Sequence, residues 1–414
     1  MKIEILNTGT ELMLGKVVNT HGAWFGRELF KLGLRVQRQT CVPDGEAIRE
    51  AIAECLTRCD VLLITGGLGP TTDDITREIT AELLGLPLLL DDSVVRHIEG
   101  IFARHGRKPP PGNERQAMVP GGATVLDNPN GTAPGLHVPA RPDGSSPHLF
   151  LLPGPPRELH PMFHDQVVPR LRSLLGETAL PTFLNFRIIN VGESAIAEKI
   201  EQPLDALVGL GGLEVGYCAR PGEVDVRLIG PSDLVATGAE IVRRAFPTEI
   251  ATESEAELQE VVLGLLTARG ETLATAESCT GGLIASTLTD VPGASRAFLR
   301  GYVTYANEAK TDLLGVPPEL LAAHGAVSEP VARAMVEGCR HAAGTTHALS
   351  VTGIAGPDGG SEEKPVGTVF IGLASEGRET RVVRLRHPGD RPTVKMRTLR
   401  SALDLLRRRL QGLE

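Results

Sequence analysis

The chain has 414 residues, more than one ordinary hydrophobic core accommodates, so its length predicts two or three domains. Charged residues make up 22% of the sequence and hydrophobic residues 41%, a balance that excludes a disordered or fibrous protein. The formal net charge of −9 argues against direct nucleic-acid binding, because that function requires a strong basic footprint.

The first part of the chain alternates short apolar runs with helical patterns. It predicts strands at 3–6, 34–42 and 60–67 and helices at 19–33, 45–59 and 71–85. Such alternation with short loops predicts a parallel sheet with helices on both faces. Residues 105–147 are rich in proline, glycine and polar residues, so we interpret them as long loops. A further buried strand then runs from 148 into a proline-rich helix start near 158.

A smaller module follows between about 180 and 250. Its predicted order is a strand (182–190), a helix (194–207), a hairpin (213–219 and 223–230) and a helix (233–246). This order predicts a small α+β unit. No cluster of catalytic residue types falls in it, so a spacer or dimerisation role is our default interpretation.

A second alternating unit starts near 254. It contains a predicted helix (254–269), strands at 271–278, 302–306, 347–353, 368–375 and 380–387, and a last helix at 391–410. We interpret the arginines of that last helix as a solvated helix surface.

The segment AESCTGG places Ser278 between a predicted buried strand and a helix. Free backbone amides at a helix start can stabilise the anion formed during acyl transfer, so Ser278 is a candidate nucleophile. The alternative is that Ser278 or Thr280 only caps the helix.

A serine nucleophile needs a base, and two kinds of residue are candidates. Lys310 lies in GYVTYANEAK, and burial would lower its pKa enough for the amine to accept a proton; the hydroxyl of Tyr305 could assist. A Ser–His arrangement stays open, with histidines at 324, 341, 347 and 387.

A glycine-dense loop follows the predicted strand at 347–353. Such a loop is costly in chain entropy, which favours a binding role for its backbone amides. Arg391 opens the last helix and is the candidate cation for a substrate phosphate, with Lys395 and Arg397 as alternatives.

A second candidate site lies near the amino terminus. NTGTELMLG (7–15) and ITGGLGPTTDDIT (64–76) both follow strands, and ligands bind at the carboxyl edge of open α/β sheets. Glycines there can surround a phosphate with backbone amides, and a divalent cation would relieve the repulsion between that phosphate and Asp73 and Asp74. The alternative is that these aspartates only cap a helix.

The segments AESCTGG, GYVTYANEAK, HGAVSEP and TGIAGPDGGSEEKPVGTV resemble the CinA C-terminal domain family over essentially all of 254–410. That family comprises amidases that convert nicotinamide mononucleotide to nicotinic acid mononucleotide and ammonia without a cofactor. The resemblance implies Ser278 as nucleophile, Lys310 as base and Tyr305 as an assisting hydroxyl. The substrate-binding residues expected beside them are Thr280, Gly281, Gly282, Gly353, Ala355, Gly356 and Arg391.

The first part of the chain, including NPNGTAPG and LPGPPRE, resembles the CinA N-terminal domain, which is similar to molybdopterin-binding proteins. This resemblance implies an ADP-ribose pyrophosphatase dependent on a divalent metal cation, with assistance by a monovalent cation left open. The expected metal ligands are Asp73, Asp74 and Glu11, and the expected substrate-binding residues are Gly66, Gly67, Gly69, Thr71 and Asn130.

The full order of segments resembles the long form of the CinA family, which implies a homodimer. The expected fold class is α/β, with two three-layer α/β/α domains (1–175 and 253–414) joined by a small α+β KH-like module (176–252). The leading hypothesis is a cytoplasmic, bifunctional enzyme of pyridine-nucleotide salvage, without membrane contact. One alternative makes the first domain dominant and the last one vestigial. The other is a non-enzymatic, partner-binding protein of competence or DNA-damage response.

Overall fold

A computed structural model describes residues 1–104, 106–176, 181–209 and 211–414. The chain forms two units, Met1–Leu180 and Pro181–Glu414. The strands of the first unit are β1 (Ile3–Thr8), β2 (Val36–Val42), β3 (Val61–Thr65), β4 (Leu88–Leu90), β5 (Met118–Pro120), β6 (Thr124–Leu126), β7 (Gly135–Val138) and β8 (His148–Leu152). Its helices are α1 (Thr10–Met13), α2 (His21–Phe30), α3 (Glu46–Leu56), α4 (Thr76–Leu83), α5 (Asp92–Arg104), α6 (Pro156–Met162) and α7 (Val168–Leu175), with a 3-10 turn at Asn113–Ala117 and a π turn at Phe163–Val167.

Strand β3 shows why the main sheet of the first unit is covered on both faces. The sheet has the order β2-β1-β3-β8-β7-β6, and β3 is buried throughout. Leu62 and Ile64 belong to one apolar cluster with Ile48 of α3, whereas Leu63 belongs to another with Phe25 of α2. Because successive side chains of a strand point to opposite faces, each face of the sheet carries a core and the unit has three layers.

The main sheet is mixed, so the prediction of a parallel sheet is wrong in this respect. β1, β2, β3 and β8 pair in parallel, but β7 and β6 continue antiparallel from β8. Both lie within 105–147, where the sequence predicts long loops. These strands are three and four residues long, so they lack the extended apolar run that marks a strand in a sequence.

The second unit contains two sheets. Its strands are β9 (Thr182–Ile189), β10 (Glu214–Arg220), β11 (Glu223–Gly230), β12 (Ile250–Thr252), β13 (Leu273–Glu277), β14 (Phe298–Val303), β15 (His347–Gly353), β16 (Thr368–Ser375) and β17 (Arg381–Arg386). Its helices are α8 (Glu193–Gly209), α9 (Ser232–Ala245), α10 (Leu258–Arg269), α11 (Leu283–Thr289), α12 (Asn307–Leu314), α13 (Pro318–His324), α14 (Glu329–Ala343) and α15 (Arg391–Gln411), with a 3-10 turn at Ala294–Arg296.

The small module has an antiparallel sheet of order β10-β11-β9-β12, whose apolar cluster includes Ile200 of α8 and Val242 of α9. The larger sheet has the order β14-β13-β15-β16-β17. Leu349 of β15 packs in one core with Leu403 of α15, whereas its neighbour Ala348 packs in another with Met335 of α14. Cores on both faces make this domain three-layered as well. The predicted fold class is thereby confirmed.

Two predicted boundaries are wrong for local reasons. Helix α4 begins at Thr76 and not at 71, because the Asp74 carboxylate accepts from the amide of Thr71, 3.0 Å away, and holds a turn that competes with the helix. Strand β14 ends at Val303, whereas the predicted strand runs over 302–306. The carbonyl of Thr304 accepts instead from Nζ of Lys310 at 2.8 Å.

The arginines of α15 are not a solvated surface, so that interpretation is wrong. Arg407 is completely buried and donates to the carboxylate of Asp404 at 2.7 Å and to the carbonyls of Thr248 and Ile250. Asp404 lies on α15 itself, whereas Thr248 and Ile250 lie in the small module, so the guanidinium of Arg407 connects α15 to that module. Separately, no helix among the described residues has both the length and the apolar content needed to cross a bilayer.

Candidate functional site

The carboxyl ends of three parallel strands meet at one edge of the larger sheet. β13 pairs in parallel with both β14 and β15, and Glu277 lies opposite Val303 and Val351. The amide of Ser278 donates to the carbonyl of Val351 at 3.0 Å. β17 runs parallel to β15 because each is antiparallel to β16. The start of α15, which follows β17, is therefore at the same edge, the usual ligand position in such sheets.

Glu277 organises the turn after β13, and sequence reasoning missed it. Its buried carboxylate accepts from the hydroxyl of Thr280 at 2.7 Å and from the amides of Gly282, Ile284 and Ala285 at 2.8–3.0 Å. Glu277 thus caps α11 in place of a serine or threonine. These three amides are occupied, so they do not provide the expected oxyanion hole. The only signal in the sequence is a carboxylate that ends an apolar strand before TGG.

Ser278 is half-buried, and its hydroxyl makes no hydrogen bond with any residue that the structure describes. The alternative of a capping role for Ser278 has no support in this geometry, because helix α11 begins after Gly282 without a side-chain cap at that position. The next residue, Cys279, is buried, and burial raises the pKa of its thiol to about 12. The thiol therefore stays protonated at neutral pH, which leaves the hydroxyl of Ser278 as the candidate nucleophile.

Lys310 on α12 is almost completely buried. Its Nζ donates to the carbonyls of Thr304 at 2.8 Å and of Tyr305 and Ala306 at 3.3 Å each. Burial lowers the pKa of the amine from its ordinary value. A hydrogen bond between Nζ and Ser278 is not among the contacts of the described residues. A neutral amine has two N–H donors and one lone pair. It can therefore keep two of the three carbonyl contacts and accept the serine proton on its lone pair.

Arg391 connects two parts of the edge. Its guanidinium donates to the hydroxyl of Tyr305 at 2.8 Å and to the carbonyl of Gly356 at 2.9 Å. Tyr305 is 61% exposed, and Arg391 is exposed as well, so both side chains are accessible. The second cation at this edge is Lys395, whose Nζ lies 3.8 Å from the place where Gly281 would carry a Cβ. Arg397, the other alternative, lines a different cavity.

The remaining predicted binding residues of this edge differ in accessibility. The side chains of Thr280 and Ala355 are buried, and that of Thr280 is engaged with Glu277. Gly353 is needed for strand pairing, because a Cβ there would lie 2.5 Å from Cγ1 of Val369. Among the alternative bases, His347 opens β15 and is therefore at the opposite edge, where it bonds to Ser375 and Glu271.

The first unit has a cavity of about 390 Å³ at the carboxyl ends of β1, β3 and β8. Backbone of Gly66, Gly67 and Gly69 lines it. A Cβ at Gly66 would lie 2.6 Å from the carbonyl oxygen of Thr8, so only glycine leaves this space open. The carboxylates that line the cavity are Glu11, Asp44, Asp73, Asp74 and Glu158.

The loop at 128–133 contributes to this cavity through residues other than the predicted one. Asn130 is exposed and donates to the carbonyl of Arg157, whereas Thr132 and Ala133 line the cavity. The buried Asn128 donates to the carboxylate of Glu158 at 2.8 Å and so orients it. The sequence did not predict Asp44 and Glu158 as members of this site, because each lies outside the segments 7–15 and 64–76 on which the prediction rested.

Carboxylate oxygens are the ligands that Mg²⁺ and Ca²⁺ prefer. Within the described ranges, no three histidine, cysteine, aspartate or glutamate side chains lie close enough together to hold a metal ion by themselves. Mg²⁺ commonly takes one or two carboxylates and completes its shell with substrate phosphates and water. The glycine-lined, acidic cavity fits a cation that arrives with a phosphate.

The two sheets, each with a candidate ligand site at the carboxyl ends of its parallel strands, define an α/β protein with two three-layer domains. Residues 255–410 match the family model "CinA C-terminal domain", and residues 4–173 match "Probable molybdopterin binding domain". A CinA-like protein of Akkermansia muciniphila is 47% identical over 99% of this chain and 98% of its own length, and one of Gemmatimonas aurantiaca is 41% identical over 99% and 96%. The chain belongs to the CinA family.

Among solved structures, the competence/damage inducible protein CihA from Agrobacterium tumefaciens is 42% identical to this chain. The match covers 36% of this chain and 91% of that one, with a TM-score of 0.36.

Proposed function

We propose that the second unit hydrolyses the amide of nicotinamide mononucleotide to nicotinic acid mononucleotide and ammonia. The observation that carries the proposal is the Ser278 hydroxyl, which has no hydrogen-bond partner among the described residues. Glu277, and not Ser278, caps α11. The buried amine of Lys310 lies on α12, the helix that follows the neighbouring strand β14. Two cations, Arg391 and Lys395, belong to the same edge and suit the substrate phosphate.

The reaction needs two displacements at the carboxamide carbon. Ser278 Oγ attacks that carbon and gives its proton to the neutral amine of Lys310. The C–N bond then breaks, and the nitrogen takes a proton from the ammonium of Lys310 and leaves as ammonia. Water attacks the resulting ester and loses one proton to Lys310. The C–O bond then breaks, Lys310 returns that proton to Ser278 Oγ, and the carboxylic acid released gives its proton to solvent. Lys310 therefore acts as base and then as acid.

Ammonia release from nicotinamide mononucleotide tests this proposal. Replacing Ser278 by alanine removes the nucleophile and should lower kcat on the order of 10⁴-fold or more. Ser286→Ala is the matched control, because Ser286 lies exposed on α11 and does not belong to the edge. Full activity in Ser278→Ala would refute the nucleophile, and a wild-type protein without turnover but with a stable protein partner would favour the partner-binding alternative.

For the first unit we propose hydrolysis of the pyrophosphate of ADP-ribose, dependent on a divalent cation. The supporting observation is the glycine-lined cavity with its five carboxylates. One or two of the carboxylates of Glu11, Asp73 and Asp74 would hold the cation together with the substrate phosphates, whose charge the cation would neutralise when bound. The glycine amides would orient the phosphates for attack by water.

Release of AMP from ADP-ribose tests this second activity. EDTA should abolish it, Mg²⁺ should restore it, and Asp73→Asn should weaken it at least about tenfold by removing a charged ligand of an exposed loop. Asp143→Asn, on another exposed loop, is the control. Ser278→Ala should leave this activity unchanged. An EDTA-resistant activity, or equal rates in Asp73→Asn and wild type, would contradict the proposed role of the cation.

A further inference from the structure

A cavity of about 440 Å³ lies within the second unit, between the small module and the start of α15. It is formed by the loop after β9, the β10–β11 turn, the end of β17 and one face of α15. Its volume is in the range of small-molecule sites. Neither proposed activity uses it.

Two guanidinium groups of this cavity lack a carboxylate partner among the residues that the structure describes. They belong to Arg386, at the end of β17, and Arg397, on α15. Nε of Arg397 is buried and has no hydrogen-bond partner within the described ranges. Between them in sequence, burial lowers the pKa of His387 to about 4, so its ring is neutral at pH 7 and adds no charge. The exposed Glu193 lines the rim.

The opposite wall offers an unsatisfied acceptor. Oε1 of the buried Glu223 accepts from Arg220 at 2.9 Å and from Arg400 at 3.0 Å. Its Oε2 is buried and has no hydrogen-bond partner in the described structure. A buried carboxylate oxygen without a donor costs stability, and such an atom in a cavity wall is satisfied when a ligand supplies a hydroxyl.

The backbone beside this wall is strained. Asn190 has a φ of 61°, in the left-handed region that non-glycine residues rarely adopt. The conformation is held by the hydroxyl of Ser401, which donates to the Asn190 side chain at 2.9 Å, and by the Asn190 amide, which donates to the carbonyl of Gly222. Strained residues that their surroundings hold in place cluster at binding sites.

We propose that this cavity binds a small phosphorylated metabolite, with its phosphate between Arg386 and Arg397 and a hydroxyl donating to Glu223. Guanidinium groups bind phosphate through paired hydrogen bonds, and they are the charges here that no protein carboxylate neutralises. The ligand should carry a hydroxyl because Oε2 of Glu223 has no donor among the described residues. The proposal is independent of both activities above.

Calorimetric titration of the full-length protein with ribose 5-phosphate, inorganic phosphate and ribose tests the proposal. Ribose 5-phosphate should bind more tightly than inorganic phosphate, and ribose alone should not bind. Arg386→Gln and Arg397→Gln should each weaken the binding of ribose 5-phosphate by about tenfold or more, since each loses a charged hydrogen bond.

Arg391→Gln and Lys395→Gln are the matched controls, because they remove cations from the candidate active site. Both variants should still bind ribose 5-phosphate in this cavity. Arg386 is exposed, so Arg386→Gln keeps the fold even if Arg397→Gln does not. The proposal fails if wild type does not bind ribose 5-phosphate at millimolar concentration. It also fails if Arg386→Gln binds as wild type does, or if only the two control variants lose binding.

Discussion

Glu277 decides what the neighbouring serine can do. Four donors converge on its buried carboxylate, and three of them are backbone amides, one of Gly282 just before α11 and two of the first turn of α11. A helix start that is satisfied in this way needs no hydroxyl cap. Ser278 can therefore face the edge of the sheet as a reactive group.

Replacing Glu277 by glutamine should destabilise the protein and reduce the proposed amidase activity together. The side-chain amide of glutamine has only one acceptor oxygen, and when that oxygen takes the position of Oε2 the backbone amide of Ala285 meets an NH₂ group. We expect a loss of about 1–3 kcal/mol in the free energy of unfolding, measured in urea. Glu308→Gln, a substitution at an exposed position of α12, is the control and should leave stability unchanged. A fully stable, fully active Glu277→Gln would contradict the capping role.

The pH dependence of the proposed amidase should follow Lys310. Only the neutral amine accepts the serine proton, and burial lowers its pKa from the ordinary value. We expect kcat/KM for nicotinamide mononucleotide to rise with pH and to level off below the pKa of an ordinary lysine. Lys310→Arg, whose guanidinium stays charged, should be inactive at every pH. A rate that is independent of pH from 6 to 10 would exclude Lys310 as the base.

The sequence predicted Ser278, Lys310 and Arg391 as members of one site, and each belongs to an element at the same edge of the sheet. It did not predict Glu277, and it named Lys395 only as an alternative to Arg391. A single carboxylate at a strand end looks like any polar boundary residue, and its role appears only when the following turn folds back over it. Whether Lys395 lies at the site depends on its position around α15, because it follows Arg391 by one helical turn.

At the scale of elements, α15 presents different faces to different surroundings. Arg391 and Lys395 lie four positions apart and belong to the candidate active edge. Arg397 and Ser401, also four apart, line the cavity beside the small module. Arg407 is buried farther along the helix. Single-sequence patterns found this helix but not these faces, because a buried arginine and a solvated one look alike in a sequence.

Replacing Arg407 by methionine should strongly destabilise the protein. The change removes one of the two guanidinium partners of the buried Asp404 carboxylate, the other being Arg408, and it leaves the carbonyls of Thr248 and Ile250 without this donor. We expect the free energy of unfolding to fall by about 3 kcal/mol or more. Arg408→Met is the control, because Arg408 is partly exposed and should cost at most about 1 kcal/mol. Equal urea midpoints for the two variants would show that burial of Arg407 adds no stability.

At the scale of the whole molecule, the remaining question is what covers the exposed aliphatic residues at the end of α1 and just after it. Met13, Leu14, Val17 and Val18 are 54%, 64%, 51% and 80% exposed. Neighbouring exposed aliphatic side chains mark an interaction surface. The homodimer that the family resemblance implies would bury such a surface against a second copy of the chain.

Val18→Asp should therefore convert a dimer into a monomer. A carboxylate buried without a partner in the interface should raise the dissociation constant at least about a hundredfold. Sedimentation equilibrium over a range of micromolar concentrations measures this change. Leu313→Asp, at another exposed aliphatic position, should leave the association unchanged. A wild-type protein that is monomeric throughout that range contradicts the homodimer itself, whereas a Val18→Asp variant as strongly dimeric as wild type shows that the interface lies elsewhere on the chain.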